Sequence, residues 1–359
     1  MPLGEDSPGA AGYDTLPGMA TMQDVAEMSG LSRYTVSKVL NGTPGVSNAT
    51  RARVLETCQK LNFVTNQHAA SLAKGGSRLM GLLVTSVIDP FYGEIIETAE
   101  QTASSLGYEL AYRCSYGNAE QERRIVQSFL GLKATALVVS PVSSDENEGF
   151  WNSLVARVPV IFIDHSVLKS AHLVSTDHYV GGRLVTEHLL SRKVDPHYLG
   201  SSQPLRNSAI AARLRGYVEA MQAAGKAPKV VPTDDIVDRA DTARFGYEAL
   251  SRYLKSEGAR RPRGLCCATD AIALGAMRAL TDAGLEPGAD VLVAGHDDLP
   301  FSAFLKPALT TVRQPKRAIG EKAVHAAARL AAMKDPRRHA KIKSVLTPEL
   351  VTRESTVRR

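Results

Sequence analysis

The sequence predicts an α/β protein with an all-α segment near its N-terminus and a core of two doubly wound α/β lobes. Short amphipathic helical patterns separated by Gly30 and Gly42 occupy the first part of the chain. From Leu79 onward, apolar strand-like runs alternate with amphipathic helices, which is typical of parallel sheets covered on both faces. These units are too numerous for one sheet, so we expect two lobes.

Composition restricts the classes of function. The chain has 359 residues, 44% hydrophobic and 22% charged, which suits two or three folding units. It has no run of about 18 apolar residues and no signal-like start, so we expect a cytoplasmic protein without a membrane span. No CxxC pair occurs, and we expect reduced, packed thiols at Cys58, Cys114, Cys266 and Cys267.

Positive charge is concentrated near the N-terminus. The net charge is +6, and residues 21–78 hold 7 basic against 3 acidic side chains. This excess indicates a polyanionic partner, although a solvated basic helix face would give the same count.

Three short helices follow a flexible tail at 1–20. The first runs over 21–29, the second begins after Ser32, and the third spans about 47–61. A glycine, Gly30, lies at the turn between the first two. This spacing predicts a helix-turn-helix motif.

The later elements form the two lobes. Predicted strands are 79–84, 108–112, 136–140, 158–164, 265–269 and 291–295. Predicted helices are 91–106, 120–130, 180–190, 206–224 and 271–283. Ligands of such sheets bind beyond the carboxyl ends of the strands, so two facing lobes would enclose a cleft.

Catalytic motifs are absent from the sequence. It contains no GxGxxG after the first strand and no GxxxxGK[ST], GxSxG, HExxH or EF-hand loop. Its nine histidines lack ligand spacing. We therefore expect no enzyme, no cofactor and no metal site.

Several motifs together resemble the LacI/GalR family of bacterial transcription repressors. The N-terminal segment reads TMQDVAEMSGLSRYTVSKVLNGTPGVSNATRARVLETCQKLNFVTNQHAASLA. Later motifs, in the family's order, are GLLVTSVIDPFYGEII, LVVSP, RLRGYVEAM, ATDAIALGAMRAL, VAGHDD and PALTTVRQP. The resemblance implies a DNA-reading headpiece, a hinge helix, an effector core like periplasmic sugar-binding proteins, and a homodimer.

The resemblance also sets the expected domain boundaries. They are a tail at 1–20, a headpiece at 21–65, a hinge helix and linker at 66–78, an N-terminal lobe at 79–177 with 308–338, and a C-terminal lobe at 178–307 with 339–359.

The second helix carries the predicted DNA contacts. Its polar side chains are of types that bond base edges and phosphates. By resemblance, Arg33, Tyr34 and Lys38 face the major groove. The other predicted DNA contacts of the headpiece are Thr21, Ser32, Thr35, Ser37 and Asn41. The alternative is an ordinary solvated helix face.

The segment 66–74 resembles the family hinge helix, which folds when two copies meet in the minor groove. Asn66 and Leu72 are its predicted DNA contacts, with Leu72 as the apolar wedge. Thr65 and Ala70 depart from the usual proline and arginine. The alternative for Leu72 is burial against the core.

Effector contacts are expected near the ends of the strands. The candidates are Phe91, Tyr92, Asp164, Arg213, Thr269, Asp297 and Gln314. Carboxylates and a guanidinium suit paired hydroxyls, and aromatic rings suit a sugar's apolar face. By resemblance, Arg213 and Asp297 are ligand contacts, and we expect them to face each other from opposite sides of the effector.

Three alternatives remain at this cleft. Asp270 is an effector contact or the N-cap of the next helix, and Phe91 and Tyr92 are ligand contacts or core residues. Thr269 and His296 replace a frequent asparagine and tyrosine, which puts the usual sugar contacts in doubt.

The sequence thus predicts a dimeric, sequence-specific DNA-binding repressor that acts in the cytoplasm, on the nucleoid when bound to DNA. Its expected partners are an approximately palindromic operator in double-stranded DNA and a small-molecule effector that is a sugar or sugar derivative. A sugar acid or purine effector, a solute-binding protein without DNA function, and a sugar-modifying enzyme are the alternatives.

Overall fold

The computed structural model describes residues 20–63, 77–142, 145–201, 208–233, 242–256, 261–333 and 340–357. The chain divides into two compact units. Met1–Ser77 contains the predicted headpiece, and we call Arg78–Arg359 the core. Within the described ranges, no helix is long and apolar enough to cross a membrane. The predicted hinge helix and nearly all of the predicted tail lie outside the described residues.

Three helices form the described part of the headpiece, and they confirm the predicted pattern. They are α1 (Met22–Ser29), α2 (Arg33–Leu40) and α3 (Asn48–Lys60). Each begins after a hydroxyl side chain, Thr21, Ser32 or Ser47, that accepts a hydrogen bond from a backbone N–H of the first turn. Gly30, with φ 65°, ends α1 in the left-handed region and permits the tight turn into α2.

Tertiary packing holds these short helices together, because isolated helices of this length are marginal in water. Their inward faces form one apolar cluster of buried side chains: Val25, Ala26, Val36, Val39 and Val54. Burying each of the larger aliphatic side chains contributes about 1.5–3 kcal/mol.

The described part of the core contains eight helices and eleven strands. The helices are α4 (Phe91–Ser105), α5 (Ala119–Gly131), α6 (Glu148–Leu154), α7 (His178–Ser191), α8 (Ala209–Ala223), α9 (Thr242–Lys255), α10 (Asp270–Asp282) and α11 (Lys316–Ala331). The strands are β1 (Leu79–Val84), β2 (Glu109–Cys114), β3 (Ala136–Val139), β4 (Val160–Ile163), β5 (His172–Thr176), β6 (His197–Leu199), β7 (Gly264–Cys267), β8 (Leu292–Ala294), β9 (Thr311–Arg313), β10 (Lys343–Leu346) and β11 (Glu349–Val351).

Lobe 1 is a parallel sheet in the order β10-β5-β4-β3-β1-β2, with α4 and α11 packed on one face and α5 and α6 on the other. Its interior strand β1, between β3 and β2, is buried at every position, as a strand covered on both faces should be. Lobe 2 is built on the parallel strands β6-β7-β8 with α7, α8, α9 and α10. Strand β9 is bridged to the β8 segment and pairs antiparallel with β11. Two doubly wound α/β lobes are thereby confirmed.

Two short strands differ from the expected lobe assignment. We placed 339–359 in the C-terminal lobe, but β10 pairs in parallel with β5 of lobe 1. We placed 308–338 in the N-terminal lobe, but β9 is bridged to β8 of lobe 2. Strands of three or four residues carry too little pattern to identify their partners. The other domain boundaries stay predictions.

Candidate functional site

One face of α2 is polar and accessible, while the opposite face is buried in the headpiece. Val36 and Val39 point into the apolar cluster, whereas Arg33 is exposed and Tyr34 is 70% exposed. The ammonium nitrogen of Lys38 lies 4.9 Å from the centroid of the Tyr34 ring, within cation–π range. The side chains predicted to read bases therefore lie close together on this face, which contains donors, a cation and an aromatic ring.

The remaining predicted DNA contacts of the headpiece act locally as caps or lie beside the polar face. The Ser32 hydroxyl accepts from the Thr35 amide at 3.1 Å, and Asn41 Nδ2 donates to Ser37 Oγ at 3.2 Å. Thr21 forms a reciprocal capping box with Asp24. Their DNA contacts stay predictions. Asn66 and Leu72, like the departures Thr65 and Ala70, lie outside the described residues.

In the core, three predicted effector residues form one buried cluster. Arg213 Nη2, on α8, lies 3.3 Å from Asp297 Oδ1, after β8. Gln314 Nε2 donates to the same oxygen at 2.6 Å. Arg213 Nη1 donates to the carbonyl oxygen of Ala268, at the end of β7, at 2.7 Å. Arg213 is 5% exposed, so this ion pair is shielded from water.

The expectation that Arg213 and Asp297 face each other from opposite sides was wrong. Both belong to lobe 2, and they pair directly. The helix containing Arg213 follows β6, and Asp297 follows β8, two strands of the same parallel sheet. Because the carboxyl ends of parallel strands meet at one edge, the two side chains lie together at that edge of lobe 2.

Asp164 approaches this cluster from lobe 1. It follows β4, and its Oδ1 lies 3.0 Å from Nε2 of His178, the first residue of α7 in lobe 2. Its Oδ2 lies 3.2 Å from His165 Nδ1. Burial alone would raise the pKa of Asp164, but His178 and His165 outweigh it and hold this pKa well below its usual value. The carboxylate is therefore ionised where the two lobes meet.

Four polar atoms around this cluster are buried without a hydrogen-bond partner among the described residues. They are Asp164 Oδ1, Arg213 Nε, His296 Nε2 and Gln314 Oε1. Although Asp164 Oδ1 is near His178 Nε2, the hydrogen bond of that nitrogen goes to the Asp164 carbonyl oxygen, at 3.1 Å. Unpaired buried polar groups are unfavourable, so this set fits a ligand that supplies both donors and acceptors.

His296 is neutral in this cluster. Burial, Arg213 and His178 hold the pKa of His296 well below its usual value. A side chain at Gly181 of α7 would collide with this ring, since an added Cβ would lie 2.4 Å from His296 Nε2. The neutral imidazole contributes no charge to this cluster.

Asp270 is structural, but it is not the N-cap of α10. Thr269 is the cap, and its hydroxyl accepts from the Ile272 amide at 3.1 Å. The buried Asp270 carboxyl instead accepts from the Leu299 amide at 2.9 Å and the Ser302 hydroxyl at 2.7 Å. Asp270 thereby fixes the segment that follows Asp297. An effector contact of Thr269 stays a prediction.

Phe91 and Tyr92 belong to the apolar cluster of lobe 1. Their rings pack edge to face at 5.1 Å, and both side chains are buried. The hydroxyls of Tyr92 and Ser140 lie 2.8 Å apart, just beyond β3. Burial raises the pKa of Tyr92, so the phenol stays neutral. Core packing therefore accounts for both rings, and their effector contacts stay predictions.

Sequence reasoning missed three residues beside this cluster: Asp89, His178 and Lys316. Burial, together with the charge of Asp297, raises the pKa of Asp89 to about 6. Asp89 follows β1, so the rule that placed Asp164 after β4 could have found it. His178 begins a helix after a strand that was not predicted, and Lys316 begins a helix that was not predicted.

The chain is similar to known proteins over 94% of its length. The family described as "Bacterial regulatory proteins, lacI family" matches residues 21–66, and "Periplasmic binding protein-like domain" matches residues 186–356. The HTH-type transcriptional regulator GalR of Escherichia coli K12 is 31% identical over 340 residues, covering 94% of this chain and 96% of GalR. The HTH-type transcriptional repressor PurR of Haemophilus influenzae PittEE is 29% identical, covering 94% and 98%. A crystal structure of the lac repressor dimer bound to operator and the anti-inducer ONPF has a TM-score of 0.81 at 29% identity, covering 94% and 99%.

Proposed function

Because the chain belongs to the LacI family of bacterial regulatory proteins, we propose that it is a sequence-specific DNA-binding transcriptional repressor. The observation that carries this proposal is the polar face of α2, where Arg33, Tyr34 and Lys38 are presented by a capped and packed helix. Arginine and lysine donate to guanine O6 and N7 in the major groove. The relatives named above are transcriptional regulators and not enzymes.

Electrophoretic mobility shift with fragments of the genome tests DNA binding. One fragment should bind far more tightly than the rest, and Lys38→Ala should weaken that complex. Lys60→Ala is the matched control, because this exposed lysine lies on α3, where it pairs with Glu56 at 2.7 Å. Equal affinity of the wild type for all fragments at physiological salt would contradict sequence-specific binding.

The protein is proposed to act as a twofold dimer on an approximately palindromic operator, because operator symmetry mirrors protein symmetry. The lac repressor structure named above, a dimer on its operator, supports this geometry. Light scattering at micromolar concentration should report a dimer. A monomer or a tetramer would refute the proposed assembly.

In the same proposal, the segment 66–74 is a hinge helix, followed by a linker to residue 78, and Leu72 is inserted as a wedge in the minor groove. Leu72→Ala should weaken specific binding while leaving salt-dependent, nonspecific binding nearly intact. If Leu72→Ala binds the operator as tightly as the wild type, Leu72 is not a wedge. The site of action proposed for this activity is the cytoplasm, on the nucleoid.

The effector is proposed to bind at the cluster of Arg213, Asp297 and Asp164. An unpaired acceptor at Gln314, an unpaired guanidinium N–H at Arg213, the ionised Asp164 and a neutral imidazole suit a molecule with several hydroxyls. Ionised Asp164 disfavours an anion, so a neutral sugar or sugar derivative fits better than a sugar acid. A purine would bring ring donors and acceptors instead.

A thermal-shift screen over sugars, sugar acids and purines identifies the effector class. A ligand at 100 times its dissociation constant adds about 2.7 kcal/mol to the stability of a protein that it binds only when folded. The ligand found should also change operator affinity. A ligand that stabilises the protein without changing operator affinity would favour a solute-binding role.

A further inference from the structure

We propose that Lys316 is a positioning residue of the effector cleft. Its ammonium holds the backbone that presents the Asp297 carboxylate and links that backbone to Glu94 of lobe 1. This inference rests on the proposed function, because it concerns the same cleft.

Lys316 is only 3% exposed although it is a lysine at the first position of a helix. Its Nζ donates to the carbonyl oxygens of Asp297 at 3.1 Å and Asp298 at 2.9 Å, and lies 2.8 Å from Glu94 Oε1. Three acceptors match the three ammonium hydrogens. Lysine is rarely buried unless paired, and the helix dipole opposes a cation at this end. Formation of α11 therefore does not account for Lys316, whereas the three contacts do.

The backbone that Lys316 holds has an uncommon conformation. Asp297 has φ 126° and Asp298 has φ 49°, both in the left-handed region that residues with side chains seldom adopt. On the amide side, Asp297 N–H donates to the Val312 carbonyl oxygen at 2.8 Å. On the carbonyl side, the bonds come from the ammonium of Lys316. This turn orients the Asp297 carboxylate toward Arg213, so the ammonium stabilises the geometry that the effector would meet.

The contacts of Lys316 also join the two lobes. Lys316 begins α11, and Glu94 lies in the first turn of α4; both helices belong to lobe 1. Asp297 and Asp298, in contrast, follow β8 in lobe 2. A movement of one lobe past the other separates the ammonium from the carbonyl oxygens or from Glu94. The orientation of Asp297 is thereby coupled to the arrangement of the lobes, which is what a ligand-biased switch requires.

Charge around Asp297 makes the role of Lys316 measurable. Burial raises the pKa of Asp297, and Arg213, Gln314 and Lys316 oppose the rise. His296, which faces the same oxygen, is neutral. The nearby charge of Asp164 raises the pKa of Asp297 further. The charge of Asp297 in turn raises the pKa values of Asp89 and Asp270. Removing the ammonium should raise the pKa of Asp297 further, and removing the charge of Glu94 should lower it.

Amide hydrogen exchange of the full-length protein between pH 5 and 8 tests the proposal without an effector. The measured quantity is the protection factor of the segment 295–300, corrected for intrinsic exchange. In Lys316→Met, exchange there should be roughly tenfold faster, and the pH at which protection is lost should move upward. Lys322→Met, an exposed lysine of the same helix, should match the wild type. Unchanged exchange in Lys316→Met would overturn the proposal. Faster exchange with an unmoved pH midpoint would also overturn it, because Lys316 would then stabilise the segment by packing and not by its charge.

Glu94→Gln, at a half-buried position, is the second variant and decides the proposal if Lys316→Met does not fold. Its pH midpoint should move downward, opposite to that of Lys316→Met, and an upward or unmoved midpoint would overturn the proposal. Operator binding by wild type and Lys322→Met is measured in parallel. If neither binds DNA, the proposed function fails, while the exchange data still decide the role of Lys316.

Discussion

Replacing Asp270 with asparagine is expected to remove a pH dependence of stability that the buried carboxyl creates. Burial, together with the charge of Asp297, raises the pKa of Asp270 to about 7 in the folded protein, whereas an unfolded aspartate titrates near pH 3.9. Between these values the folded state holds a proton that the unfolded state has lost. The free energy of unfolding therefore falls as pH rises, by about 1.4 kcal/mol per unit, and levels off above pH 7.

From pH 5 to pH 8 this loss amounts to about 3 kcal/mol in the wild type. Asparagine retains an oxygen for the Leu299 amide and the Ser302 hydroxyl, and its amide N–H can donate to Thr311 Oγ1. The hydrogen bonds of the site are therefore conserved while the titrating group is gone. The stability of Asp270→Asn relative to wild type should rise by about 3 kcal/mol over this range.

Urea unfolding of the full-length protein at pH 5, 6, 7 and 8, followed by circular dichroism, measures this difference. Asp282→Asn is the matched control, because Asp282 is on the same helix but exposed and paired with Arg278. The control should follow the wild-type profile within experimental error. Parallel pH profiles of Asp270→Asn and wild type would refute a proton held by Asp270 in the folded state.

Three further substitutions test other parts of the molecule. Arg213→Ala should abolish the change in operator affinity caused by whichever ligand the thermal-shift screen identifies, and operator binding without ligand should persist; an unchanged response midpoint removes Arg213 from the site. Arg33→Ala should relax base preference at one or two positions of each half-site, by about 1–3 kcal/mol per base contact, in mobility shifts with single-base operator variants. Gly182→Ala should destabilise the core by about 1–3 kcal/mol in urea unfolding, because the new Cβ would lie 2.1 Å from the Arg213 carbonyl oxygen. Gly149→Ala, where a Cβ meets nothing within 4 Å, should be neutral.

The sequence predicted the headpiece well because its signals are local. Hydroxyl caps, a glycine at the turn and apolar spacing within one helix locate α1, α2 and α3 without information from distant residues. The prediction of the effector site was less complete, because its residues come from distant parts of the sequence. Arg213 and Asp297 were identified, but their pairing on one side follows from sheet topology, which no local pattern contains. Lys316 was missed because its significance comes from the carbonyl oxygens and carboxylate around it.

The crossing of the chain between lobes has a consequence for synthesis on the ribosome. Lobe 1 begins at β1, but its sheet is completed by β10, and α11 supplies Ile319, Ala323 and Leu330 to one of its faces. These elements leave the ribosome after α7 to α10 of lobe 2, so the apolar face that α11 covers stays open while those helices are being made. The headpiece has a core drawn entirely from its own neighbouring helices and has no such delay. A nascent chain that stops before Lys316 therefore combines a complete helix-turn-helix with an unfinished lobe 1, a species that chaperones and proteases recognise by its exposed apolar surface.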